Sequence, residues 1–69
     1  MAVLTKAAQY TIVIEPDGDG FHAFCPALKG CHTCGDTQAE ALEYVQDAII
    51  GYVASLEKHG MPIPGDVGE

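Results

Sequence analysis

The chain contains no arginine and only three lysines, Lys6, Lys29 and Lys58, against ten aspartates and glutamates. Its formal net charge is -7 over 69 residues. Proteins that bind DNA or RNA draw most of their sequence-independent affinity from clustered lysine and arginine side chains that neutralise phosphates. Direct nucleic-acid binding is therefore not expected. An acidic surface either keeps a small protein soluble or suits a basic partner protein, and the composition leaves both interpretations open.

Long apolar segments are also missing. No run approaches the ~20 residues of a membrane-spanning helix, and the first residues lack the charged and apolar regions of an export signal. We therefore expect a cytoplasmic protein with reduced thiols, no contact with a membrane, and one domain over residues 1–69 with its core at about residues 9–64. A domain of this size buries only about 60% of its unfolded surface. A homo-oligomer is therefore expected.

Alternating apolar and polar residues predict a three-strand antiparallel meander in the first half of the chain. Within residues 9–15 the alternation places Tyr10, Ile12 and Ile14 on one face of a strand. Proline, aspartate and glycine at residues 16–20 predict a hairpin loop. Residues 21–25 are the returning strand, and residues 31–35 form a third short strand after a connection.

A capped helix is predicted to follow the meander. Thr37 and Glu40 have the spacing of a capping box, in which the threonine hydroxyl accepts from an amide of the first turn and the glutamate accepts from the amide of the cap. An apolar stripe at spacings of three and four residues is expected to cover one sheet face. The stripe consists of Leu42, Val45, Ile49, Tyr52 and Leu56. The helix should end near Lys58 with Gly60 in a left-handed conformation, and Gly51 in its middle indicates close backbone packing.

A short final strand is predicted at residues 61–64. Pro62 and Pro64 both lack an amide donor on the same side of that segment, so the strand can only lie at a sheet edge. Residues 65–69 are expected to fray. The predicted order is therefore β-β-β-α-β, an α+β fold in which a single helix covers one face of an antiparallel meander.

The thiols and imidazoles are candidate ligands for a metal ion. Cys25, Cys31 and Cys34, together with His22 and His32, are numerous enough to supply four zinc ligands. Residues three apart on a strand point to opposite faces, however, so Cys31 and Cys34 are not expected to converge. We expect structural cysteines and no bound metal or cofactor, and a redox or metal role of the three cysteines is the open alternative.

Several carboxylates are candidates for two-metal nuclease chemistry, in which several such groups must converge on two cations. The candidates are Glu15, Asp17, Asp19, Asp36 and Glu40. The predicted turn accounts for Asp17 and Asp19, and the helix start accounts for Asp36 and Glu40. With no basic surface to hold a nucleic acid, the protein is not expected to be an enzyme.

Glu40, Glu43 and Asp47 fall on one outer face of the predicted helix. Like charges repeated at spacings of three and four slightly destabilise a helix, which favours a use for them. They are the candidate partner-binding residues, and a merely solvated helix face is the open alternative.

Several short motifs follow one another along the chain: Gly30-Cys31, Gly35-Asp36-Thr37, Glu40-Ala41 and Pro62-Ile63-Pro64. In this order and spacing they resemble the HicB-like antitoxin family, and the resemblance covers residues 10–64. It implies a reduced ribonuclease-H-type fold that forms dimers or tetramers. It also implies a partner, because this part of full-length members neutralises a small basic HicA-like toxin that cleaves messenger RNA.

The chain departs from the family pattern in three places. Nothing after Pro64 is long or basic enough to be the DNA-binding tail of full-length members, so operator binding is not expected. Cys34 replaces a polar residue, and Tyr44 stands where asparagine is usual. The resemblance predicts an antitoxin module that acts without binding DNA. The alternative is a stand-alone homo-oligomeric interaction or scaffold module with an unknown partner.

Overall fold

The computed structural model describes residues 3–66, which form a four-stranded antiparallel sheet covered on one face by a helix. The elements are β1 (Val3–Ala7), β2 (Tyr10–Asp17), β3 (Gly20–Phe24), β4 (His32–Gly35) and α1 (Gln38–Lys58). The strands lie in the order β1-β2-β3-β4, so each pairs with its neighbour in sequence. The predicted α+β class, a meander beneath one helix, is confirmed. Within residues 3–66 no helix combines the length and apolar character that crossing a bilayer requires.

The core lies between the sheet and α1. Tyr10, Ile12 and Ile14 alternate along β2 and are all buried, because every second side chain of a strand points to the same face. The helix contributes three buried side chains at spacings of four, Ala41, Val45 and Ile49. Ala23 of β3, together with Leu28 and two cysteines from the β3–β4 connection, completes this cluster.

Both ends of α1 are capped largely as the sequence predicts. The Thr37 hydroxyl accepts from the Glu40 amide at 3.1 Å. The Glu40 carboxylate reaches back one residue further than a capping box requires, because it accepts from the Asp36 amide at 2.9 Å. At the other end Gly60 has φ 67°, and the Met61 amide donates to the Leu56 carbonyl at 2.9 Å. These are features of a glycine-terminated helix end.

The expected close packing at Gly51 is wrong. A Cβ placed on Gly51 would meet no atom within 4 Å, and the residue is exposed on α1. The close approaches occur instead at Gly20 and Gly35. A Cβ on Gly35 would lie 2.7 Å from the Ala41 amide nitrogen, so glycine at this position lets the start of α1 rest directly on β4.

Strand β1 was not predicted, and its turn explains why. Ala8 and Gln9 connect β1 to β2 with φ angles of 51° and 70°. Two consecutive left-handed residues are the pattern of a type I′ hairpin turn, which asparagine and glycine normally supply. Alanine and glutamine carry no turn signal, so the sequence gives no indication that residues 3–7 pair with β2.

The final strand predicted at residues 61–64 is wrong. In the part of the chain that the structure describes, residues 61–66 leave α1 without joining the sheet. Because β2 already pairs with β1 and β3, it has no free edge for a further strand. The segment is held by individual groups, since the Tyr10 hydroxyl donates to the Pro64 carbonyl at 2.5 Å.

Asp66 anchors the end of this segment and corrects the expectation that residues 65–69 fray. Its buried carboxylate accepts from the Thr11 amide at 2.7 Å and from the Thr11 hydroxyl at 2.8 Å. The Lys6 ammonium lies 3.2 Å from the same carboxylate. We call these three residues the Asp66 clasp. Residues 67–69 lie outside the described part of the chain.

Relieving the strained β1–β2 turn should stabilise the fold. Left-handed backbone costs an ordinary residue about 1 kcal/mol or more, whereas asparagine and glycine tolerate it. We expect Ala8→Asn combined with Gln9→Gly to raise the free energy of unfolding by about 1 kcal/mol, measured by urea denaturation, because the extra entropy of unfolded glycine offsets part of the gain. Gly18, with φ 61° in the β2–β3 turn, is the matched control. Its change to alanine should lower stability by a similar amount, and an unchanged double variant would contradict the explanation.

Candidate partner-binding surfaces

The acidic helix face lies where the sequence predicts it, but its members differ. Glu43 and Asp47 are exposed on the side of α1 opposite Ala41 and Val45. Glu40 is half-buried, and its carboxylate is already bonded to the Asp36 amide. Glu40 therefore serves the helix start, while Glu43 and Asp47 have carboxylates available to a partner.

The same helix face continues beyond Asp47. Spacings of three and four residues place Glu43, Asp47, Ile50, Ala54 and Glu57 along one line of α1, which we call the outer stripe. All five are exposed, and Ile50 retains 62% of its accessible surface. Sequence reasoning stopped at Asp47, although the helical spacing carries the signal for the remaining three.

A shallow depression beside the start of α1 gathers part of the carboxylate set considered for nuclease chemistry. Asp17, Asp36 and Glu40 line it together with Tyr44. Glu15 and Asp19 do not line it. Within residues 3–66 no three histidine, cysteine, aspartate or glutamate side chains are grouped closely enough to hold a metal ion.

The sheet face opposite α1, the open sheet face, is partly apolar. The strand register places Leu4, Val13, Phe24 and His32 side by side in one row across the four strands. Leu4 is 68% exposed at one end of this row. Strand alternation places the polar residues Glu15, His22 and Cys34 in a neighbouring row on the same face.

Imidazoles cluster on the open sheet face. The His22 ring stacks on Phe24 with centroids 5.6 Å apart and lies 5.4 Å from the His32 ring. The Nδ1 atom of His22 is 3.9 Å from a carboxylate oxygen of Glu15, which is too long for a hydrogen bond. The structure thus brings together two of the predicted metal-ligand candidates, His22 and His32, and pairs Cys34 with His22 across the strands.

The other two cysteines lie in the core. Cys25 and Cys31 are buried, and the Cys25 amide donates to the Cys31 carbonyl at 3.0 Å, closing the β3–β4 connection. Cys34 is exposed, so Cys31 and Cys34 diverge as strand alternation predicts. Burial raises the pKa of the Cys25 thiol, opposed by hydrogen bonds from the backbone of Ala27 and Leu28. Burial, followed by the neighbouring Cys25, raises the pKa of Cys31.

A family model described as the HicB-like antitoxin of bacterial toxin–antitoxin systems matches residues 10–67. The chain belongs to the HicB-like antitoxin family. Among similar proteins, a UPF0150 protein of Synechocystis is 48% identical over 56 residues, covering 80% of this chain and 71% of the relative. A UPF0150 protein of Thermoplasma acidophilum is 45% identical over 62 residues, covering 88% and 90%.

One similar protein carries the antitoxin name. The protein Antitoxin HicB 1 of Photorhabdus laumondii is 35% identical over 71 aligned positions, which cover 96% of this chain and 44% of that protein. The HicB-like family therefore supports an antitoxin role and implies a toxin as the kind of partner. No solved structure matches the chain at a significant level.

The Gly35-Asp36-Thr37 motif of this HicB-like chain has a structural explanation. Gly35 allows the contact between β4 and α1, the Asp36 amide donates to Glu40, and Thr37 caps the helix. These three residues build the strand-to-helix junction that points the outer stripe away from the sheet.

The exposed thiol of Cys34 should differ from the two buried thiols in reactivity and in its effect on stability. We expect a disulfide-exchange reagent at pH 8 to modify Cys34 rapidly and the other two thiols only after unfolding, because the reagent reaches an exposed thiol while burial shields Cys25 and Cys31 and raises the pKa of both. Both buried thiols have a folded pKa above the ordinary value of 9.0. Their contribution to stability is complete below pH 9.0 and declines above it, since the unfolded chain then loses protons first.

The control for the pH effect is a variant in which Cys25 and Cys31 are both alanine. Its free energy of unfolding should fall less between pH 8 and 10 than that of the parent chain. Rapid modification of all three thiols in the folded protein would contradict the burial of two of them.

Proposed function

We propose that this chain is an antitoxin module that binds and neutralises a small basic, HicA-like, messenger-RNA-cleaving toxin, and that it does so without contacting DNA. The observation that carries the proposal is the outer stripe of α1, where the exposed residues Glu43, Asp47 and Glu57 lie in line. The chain that presents this stripe belongs to the HicB-like antitoxin family. The chain as a whole is also acidic, with a net charge of -7.

The chemistry of the target explains how such a stripe neutralises it. A ribonuclease must present cationic side chains to RNA phosphates. A row of carboxylates on a rigid helix attracts the same cations, and opposite potentials speed the encounter of the two proteins. A protein seated on the cationic surface of the toxin excludes RNA from it.

Self-association is the second part of the proposal, and it uses the other side of the molecule. The row of Leu4, Val13 and Phe24 on the open sheet face offers apolar surface to a second copy. The outer stripe is unsuitable for this purpose because two acidic stripes repel each other. A homo-oligomer built on the open sheet face leaves each α1 free for a toxin. The same apolar row supports the alternative function, a stand-alone homo-oligomeric module, if no toxin binds.

Co-expression tests the proposal. The probe is the product of an adjacent open reading frame that encodes a short basic protein, expressed until it arrests growth; an isolated gene would favour the stand-alone module. The parent chain should restore growth and co-purify with it. Growth arrest without rescue and without co-purification would overturn the antitoxin function and leave the stand-alone module.

Charge variants test the surface. Glu43→Gln with Asp47→Asn should raise the Kd for a catalytically inactive form of the same basic protein by about tenfold at low salt, and by less at high salt, because salt screens exposed charges. The matched control is Asp17→Asn with Asp19→Asn, which makes the same change in net charge at the β2–β3 turn. Equal weakening by both pairs would mean that only overall charge matters.

A further inference from the structure

An apolar groove adjoins the outer stripe at the carboxyl-terminal half of α1. It lies between the helix, the β1–β2 turn and the segment after the helix, and its volume is about 400 Å³. Ala8, Ile50, Val53, Ala54, Ile63 and Glu57 are among the residues that line it.

Two exposed isoleucines contribute apolar surface to the groove. Ile50 is 62% exposed and Ile63 is 47% exposed, although both are large aliphatic side chains. They belong to different elements and face the same groove, so their exposure is a shared patch and not two isolated surface residues. Neither belongs to the buried core cluster.

The charges around the groove indicate what occupies it. Glu57 lines the groove, and Asp47 lies one turn before Ile50 on the outer stripe. Lys58, which ends the helix, does not line it. A second copy of this chain would bring the same carboxylates against these, whereas a cationic protein would complement them.

We propose that the groove receives an apolar side chain of the basic toxin, between two cationic side chains that pair with Asp47 and Glu57. This inference rests on the proposed function and deepens it by naming the anchor. Asp47 and Glu57 are separated by a helical rise of about 15 Å. The partner segment is thereby specified as an apolar residue between lysines or arginines about 15 Å apart.

An apolar pocket flanked by charged residues is the usual organisation at the centre of a protein–protein interface. Binding energy concentrates on a few side chains that fill well-packed, desolvated pockets, while charges at the rim set orientation and association rate. Ile50 and Ile63 are the pocket in this interface, and Asp47 and Glu57 are the rim.

The test is calorimetric titration of a catalytically inactive form of the short basic protein used as the co-expression probe into parent and variant chains. Ile50→Ser should raise Kd by about 30-fold and Ile63→Ser by about tenfold, since truncation at an interface centre has effects of this order. Glu57→Gln should slow association and weaken its salt dependence with a smaller change in Kd. Because Ile50 and Ile63 are exposed, thermal melts of both variants should match the parent.

Met61→Ser is the matched control. It removes a large apolar side chain, 55% exposed, from the segment that also carries Ile63, but Met61 does not line the groove. It should change Kd less than twofold. Light scattering should show the oligomeric state of the parent chain for both Met61→Ser and Ile50→Ser.

The outcomes distinguish a failure of the groove from a failure of the proposed function. Weakening by both isoleucine changes, without weakening by Met61→Ser, supports the groove as the anchor site. Parent-like affinity of both isoleucine variants overturns the groove and leaves the antitoxin function standing. Absence of binding by the parent chain overturns the function and the groove together.

Discussion

Gly35→Ala is expected to lower the free energy of unfolding by about 2–3 kcal/mol, which is the cost of forcing atoms into a filled contact. The added methyl group would lie 2.7 Å from the Ala41 amide nitrogen and 2.9 Å from Glu40 Cβ. Neither is the movable end of a flexible side chain, so α1 must shift away from β4. A domain of this size has a total stability of roughly 3–10 kcal/mol. The midpoint of thermal unfolding should fall by about 10–20 °C, measured by circular dichroism.

Gly51→Ala is the control for this prediction. The same methyl group added at the exposed middle of α1 meets nothing within 4 Å. Because alanine is the better helix former, this variant should gain up to about 1 kcal/mol. If both variants lost stability equally, the contact at Gly35 would not be the cause.

The sequence predicts the elements whose signals are local. The alternation of Tyr10, Ile12 and Ile14 and the three-and-four spacing of the α1 stripe both follow from the periods of strand and helix. The cap at Thr37 and the terminator at Gly60 are short-range signals as well. The structure places the strand alternation, the cap and the terminator as expected. Of the predicted stripe it buries Val45 and Ile49, and Leu42 and Tyr52 pack against the core, whereas Leu56 is not part of this cluster.

The sequence fails where tertiary context overrides local preference. Ala8 and Gln9 adopt a backbone that their side chains disfavour, because pairing of β1 with β2 outweighs the local cost. Residues 61–64 look like an edge strand, yet β1 has taken the place beside β2. Asp66 gives no sign in sequence that it will be buried, since its hydrogen-bond partner Thr11 lies 55 residues earlier in the chain.

Part of the candidate partner surface could likewise be predicted from local sequence signals, and part depends on tertiary structure. Glu43 and Asp47 could be assigned to an outer face from helical spacing alone. The groove could not, because it needs Ile63 and the β1–β2 turn to lie beside Ile50. That proximity depends on the unpredicted turn and on the path of the segment after α1.

Asp66→Ala is expected to destabilise the fold by about 2–3 kcal/mol, as removal of hydrogen bonds to a buried charged group does. The change leaves the Thr11 amide and hydroxyl without the two bonds that the carboxylate supplies. The ion pair with Lys6 contributes less, because the Lys6 side chain is 63% exposed and water screens it. Lys6→Ala should therefore cost less than about 1 kcal/mol in urea denaturation. Asp66→Asn, which keeps one acceptor oxygen, should fall between the two.

The Asp66 clasp also links stability to partner binding. It fixes the segment that carries Ile63, so releasing it removes one wall of the groove while Ile50 stays on α1. Under conditions where Asp66→Ala remains folded, its affinity for the inactive basic protein should fall about as far as that of Ile63→Ser. Asp47→Ala is the contrasting variant, because it removes an exposed carboxylate and should leave stability within about 0.5 kcal/mol. If Asp66→Ala melted like the parent chain and kept its affinity, the hydrogen bond from Tyr10 to Pro64, and not the clasp, would hold the segment that carries Ile63.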